Sequence, residues 1–126
     1  MKERQKDPEM DVILVVTTFP DVEVGRQIGT QLVESQLAAC VNLVPGVESI
    51  YRWKGAVERE QEVVGLIKTT QNRWEQLEGW MQEHHPYEEP ELIAMSIDQG
   101  ASGYLDWVRK AVSSGETGWT KRDPEA

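Results

Sequence analysis

The sequence predicts an α+β domain with elements in the order β-α-β-β-α-β and a short helix at the end. Three observations carry this. A continuous aliphatic run, Val12-Ile13-Leu14-Val15-Val16, reads as a strand buried on both faces. Two stretches repeat apolar residues at helical spacing: Val24, Ile28, Leu32 and Val33, then Trp74, Leu77, Trp80 and Met81. Between those stretches lie successive β-like segments punctuated by Pro45-Gly46 and Lys54-Gly55.

Taken in order, the first strand ends at Pro20, and Asp21 is placed to cap the following helix, with Glu23 in its first turn. Gly25 and Gly29 lie four apart beside the apolar stripe. Either a backbone passes close there or the helix simply tolerates them. Residues 38–44 form a second strand, with Pro45-Gly46 read as a turn. Residues 49–54 alternate apolar and polar, as a half-exposed strand does. Glu58, Glu60 and Glu62 recur at period two and share one strand face. The strand continues through 63–70. Residues 71–84 form the second helix, and Pro86 and Pro90 bracket a loop that cannot be helical throughout. Residues 91–98 make the last strand, and 104–112 a short helix with Leu105, Val108 and Val112 inward. This is the split βαβ arrangement of the ferredoxin-like fold: an antiparallel sheet with two helices on one face. No helix is left for the other face, so a second copy of the chain is expected to cover it.

Three segments follow. Residues 1–10 and 113–126, the latter with a lone Trp119, are expected to be unstructured tails. Residues 11–112 supply a core segment of about 100 residues, a common size for one domain. The formal charge of −9, from 13 basic and 22 acidic residues, disfavours nucleic acid and anionic membranes as partners. No stretch approaches the roughly 20 apolar residues of a spanning helix, and the N-terminus has no apolar signal run. With Cys40 the lone cysteine, no internal disulfide is possible. The cytoplasm is the expected location.

His84-His85-Pro86-Tyr87-Glu88 is the densest set of ligand-type residues. Imidazole and carboxylate suit Zn, Cu or Ni. Adjacent side chains usually point apart, so one histidine in solvent and the other in the core is the competing reading. Cys40, between Ala39 and Val41, reads as a buried thiol rather than a nucleophile. The glutamate row reads as a solvated face or a set of interface ion pairs. Lys68 is either an anion contact or a snorkelling side chain. No Gly-rich phosphate loop, Cys-x-x-Cys pair or Gly-x-Ser-x-Gly elbow occurs, which points to a binding protein and not to an enzyme.

Five motifs in register, Leu37-Ala38-Ala39-Cys40-Val41-Asn42, Ser49-Ile50-Tyr51-Arg52-Trp53-Lys54-Gly55, Glu60-Gln61-Glu62 with Ile67-Lys68-Thr69, His85-Pro86-Tyr87-Glu88 with Pro90-Glu91, and Gly103-Tyr104-Leu105-Asp106-Trp107, resemble the CutA divalent-cation tolerance family. The resemblance implies a compact homotrimer of ferredoxin-like protomers, a cytoplasmic role in tolerance of divalent metals, copper above all, and no established catalysis. It implies metal ligands at His84 and His85. Some members add a Cys at the end of the first strand, where Thr17 stands here, and losing that thiolate lowers the expected affinity for Cu(I). It implies an inter-subunit cleft lined by Cys40, Glu62, Lys68 and Tyr87 for metal or another small ligand. Two alternatives accompany it: a trimeric signalling protein of the PII kind that binds a small organic effector, or a structural, partner-binding trimer.

Overall fold

A computed structural model describes residues 7–113. The ordered elements are β1 (Val12–Phe19), α1 (Val22–Glu34), β2 (Cys40–Trp53), β3 (Ala56–Thr70), α2 (Trp74–His84), β4 (Leu92–Ser96) and α3 (Ser102–Ala111). The four strands lie in the order β2-β3-β1-β4, every neighbouring pair antiparallel. This is the ferredoxin-like βαββαβ sandwich expected from the sequence. Most of residues 1–10 and 113–126, with Trp119, lies outside the described residues, although Pro8–Met10 already forms a short 3-10 turn.

Alternation along β1 and β3 sorts the side chains onto two faces. Ile13, Val15 and Phe19 of β1 and Val63 and Ile67 of β3 face the helices, where they pack with Ile28 and Leu32 of α1 and Leu77 and Met81 of α2. Asp21 caps α1, its carboxylate accepting from the Val24 N–H at 2.9 Å. A Cβ on Gly25 would lie 3.1 Å from Leu43 and from Phe19, so α1 passes close to the sheet there, and close approach is the right reading of that glycine. Gly65 of β3 makes room for the Phe19 ring, which would stand 2.7 Å from an added Cβ.

Two features depart from the sequence reading. Pro45-Gly46 is not a turn. β2 runs through it, with the register slipping between Val44 and Val47 and Gly46 at φ +74°. β2 is an edge strand, so the N–H that Pro45 lacks is not needed by a second neighbour, and a bulge absorbs the irregularity. The second sheet face is also not bare. Val108 and Val112 of α3 bury Val12 and Ala39 at one end of it.

The true turn is Lys54-Gly55, both residues at positive φ, which closes a two-residue hairpin. β1 pairs with β3 only over Val63–Thr70. The rest of the hairpin, 47–62, therefore projects beyond the sheet as a two-stranded arm. Its Ile50, Trp53 and Val57 are 63%, 59% and 64% exposed.

Candidate functional site

The histidine pair stands where α2 runs out. α2 ends at His84, and His85 leaves the helix in extended conformation because Pro86 follows. The two rings consequently go to different places. His85 is buried and stacks on Phe19, centroids 5.5 Å apart. Its Nε2 lies 2.7 Å from the Thr18 carbonyl, and its Nδ1 accepts from the Tyr87 N–H at 3.0 Å. A carbonyl only accepts, so Nε2 carries the hydrogen and both ring nitrogens are consumed. Burial lowers the His85 pKa from its usual 6.5, outweighing the Thr18 carbonyl and Glu62, which raise it.

His84 is exposed. It lies flat on Trp80, centroids 4.1 Å apart, with Nδ1 2.9 Å from the Trp80 carbonyl. By the same logic Nδ1 donates and Nε2 keeps its lone pair. Donation of the second ring nitrogen to a carbonyl is the arrangement that orients metal-binding imidazoles. The ring borders a shallow cleft lined by Gln31, Glu34, Ser35 and Trp80. α1 and α2 both end at this cleft, which adds partial negative charge to the Glu34 carboxylate.

The cleft set splits in two. Tyr87 donates to Glu62 Oε2 at 2.6 Å, tying the loop after α2 to the root of the arm. Burial first, then the Glu62 carboxylate, raise the Tyr87 pKa far above its ordinary value, so the hydroxyl stays a donor. Beside it on the arm, Tyr51 is raised chiefly by its hydrogen bond to Glu60. Cys40 and Lys68 form the other half: they stand opposite each other across β2 and β3, the ammonium 3.9 Å from the thiol and hydrogen-bonded to Asn42 Oδ1. Glu62 and Lys68 are six residues apart on β3, about 20 Å. One protomer thus pairs Glu62 with Tyr87 and Lys68 with Cys40, and does not bring the four together. Among the described residues, no group of three or more His, Cys, Asp and Glu side chains is arranged to hold a metal.

Sequence reasoning missed several partners. Thr17 is buried, and its hydroxyl donates to the Glu91 carbonyl at 2.6 Å, closing the far end of the loop that His85 closes at the near end. Thr18 serves through its backbone, which no side-chain pattern could reveal. Asn42 follows Cys40 at the same-face spacing of two, a signal that was available. Trp80 and His84 are one helical turn apart, which also was legible.

These features define a class first: a ferredoxin-like sandwich with a projecting hairpin arm, a closed histidine and an open one. The CutA1 divalent ion tolerance protein family matches residues 13–111. The divalent-cation tolerance protein CutA of Thermus thermophilus is 47% identical over 77% of this chain and 94% of its own length. The CutA of Pectobacterium atrosepticum is 35% identical over 83% of this chain and 96% of its own. Human protein CutA is 43% identical, but the match spans only 54% of its length. Among solved structures, CutA from Xylella fastidiosa matches 82% of this chain and 99% of its own, with TM-score 0.80 and 38% identity. The chain belongs to the CutA1 divalent ion tolerance family, which is named for tolerance and not for a catalysed reaction. No described helix is long and apolar enough to cross a membrane.

Proposed function

We propose that this chain works as a homotrimeric binding protein, not an enzyme, that takes up a divalent cation, copper first, or another small ligand at clefts between subunits. The observation that carries the reading is the arm. A two-stranded ribbon with Ile50, Trp53 and Val57 in water is marginal by itself, so another surface must cover it. Val44, Ile93 and Met95 extend the uncovered apolar area onto the sheet. A head-to-tail contact, arm of one copy on the sheet of the next, closes into a ring if the rotation fits.

The open histidine is the cation's natural anchor. His84 offers Nε2 and Glu34 a carboxylate across the cleft, a donor set that one protomer leaves incomplete for Cu²⁺ or Zn²⁺. Remaining donors come from water or a neighbouring subunit, which fits weak, exchangeable binding. Cys40, the only cysteine, suits a reducing compartment such as the cytoplasm.

Light scattering during gel filtration tests the assembly. A mass near three times 14.3 kDa is expected, and a single-protomer mass removes the reading. Calorimetric titration with Cu²⁺ and Zn²⁺ tests the anchor: His84→Ala abolishes the heat, whereas His85→Gln retains it.

A further inference from the structure

The register aligns one row of side chains across all four strands. Cys40 of β2 stands opposite Lys68 of β3, Lys68 opposite Leu14 of β1, and Leu14 opposite Met95 of β4. By alternation, the same face carries Val12, Val16 and Thr18 from β1, Val64, Leu66 and Thr70 from β3, Asn42 and Val44 from β2, and Ile93 from β4. Within the four-stranded part of this face, Lys68 is the only charged side chain. α3 covers one end of the face over Val12 and Ala39, and the apolar remainder is what the proposed trimer covers.

A lysine in that position has an electrostatic deficit. The residue is half-buried, and the ammonium's partners in the chain are a thiol and an amide oxygen, both neutral. Among the described residues the ion pairs are Arg26–Glu23 and Arg109–Asp106, and Lys68 has no carboxylate within ion-pair distance. Covering the face removes water from an uncompensated cation, which is strongly unfavourable unless a negative charge accompanies it. Donors are available around the ammonium. Lys68 has an N–H beyond those engaged by Cys40 and Asn42, and Asn42, whose oxygen is taken by Lys68, keeps its amide hydrogens. Tyr104, at the start of α3, lies near Cys40, and burial raises its pKa, so its hydroxyl stays a donor.

We propose that Lys68, Asn42 and Tyr104 form a binding site for a small organic carboxylate, seated on the floor made by Leu14 and Met95. A single ammonium matches a monoanion better than a doubly charged phosphate. The apolar floor favours a short alkyl tail over a bare inorganic ion. The inference rests on the proposed covering of this sheet face, and it names an anion where that reading places a cation elsewhere.

The test is a heteronuclear NMR titration of the full chain with sodium acetate and sodium propionate, against sodium chloride at equal ionic strength and pH. Saturable shifts of the Asn42 side-chain amide and the Tyr104 backbone amide are expected, with propionate binding more tightly than acetate. Lys68→Met should weaken both at least tenfold, Lys68→Arg should retain them, and Asn42→Leu should weaken them if Lys68→Met does not fold. Unchanged spectra in carboxylate, or identical titrations of wild type and Lys68→Met, would overturn the site. So would loss of assembly in Lys68→Met from a protein that ignores carboxylate, because Lys68 would then be paired with a neighbour's own carboxylate. A single-protomer mass combined with saturable shifts would keep the site and reject the trimer.

Discussion

His84 and His85 are neighbours in the chain and opposites in circumstance. His85 is closed: buried, stacked on Phe19, both nitrogens hydrogen-bonded to backbone. His84 is open: exposed, braced on Trp80, with one nitrogen free to bind. The same contrast runs through the whole fold. The end of the sheet near His85 satisfies itself, with Thr17 and His85 tying down both ends of one loop and Tyr87 fastening it to Glu62. The arm and the second sheet face do not, and they present Ile50, Trp53, Val57, Ile93 and Met95 to water. Self-satisfied regions carry stability, and in the proposed function the unfinished ones carry association and binding.

The largest effect should come from breaking the closed region. His85→Ala removes a buried ring and orphans the Thr18 carbonyl and the Tyr87 N–H. A loss of about 2–4 kcal/mol in denaturant-unfolding stability is expected. Tyr87→Phe removes only the bond to Glu62, at a cost of about 1 kcal/mol in the same measurement. It should also loosen the root of the arm, seen as faster amide exchange at 60–64.

pH sharpens the comparison further. The His85 pKa is lowered in the folded state, so its contribution is fully present above the unfolded value of 6.5 and is lost as pH falls below it toward the folded value. Urea midpoints should therefore drop between pH 7 and pH 5, and His85→Gln should flatten that part of the curve. The smallest effect belongs to the open residue. His84→Ala should change stability by no more than about 0.5 kcal/mol, as exposed substitutions do, while removing the cation response.

How much of this was legible follows the same division. Local signals were read correctly for the β-branched run of β1, the Asp21 cap, the Lys54-Gly55 turn and most of the helical stripes, all of which depend on residues close in sequence. Val33, placed on the α1 stripe, is exposed instead, and Gly25 and Gly29 share the buried face with Ile28 and Leu32. Pro45-Gly46 was misread because the same dipeptide that makes a turn also fits a bulge on an edge strand, and edge position is a property of the sheet. The place of α3 was equally hidden, since its apolar side could have joined either face. At the site, the histidine pair stood out, but its division of labour depends on the Thr18 and Trp80 carbonyls, and carbonyls leave no mark in a sequence. The separation of Lys68 from Glu62 was readable once both were placed on one strand.

The central claim is that the arm is completed by another copy of the chain. Hydrogen exchange of the amides at 47–62, compared with those of β3 paired to β1, tests it most directly. The account predicts comparable protection in both stretches for the wild type, and selective loss at 47–62 when Trp53→Asp disrupts the contact. An arm that exchanges freely in the wild type while 63–70 stays protected would contradict it.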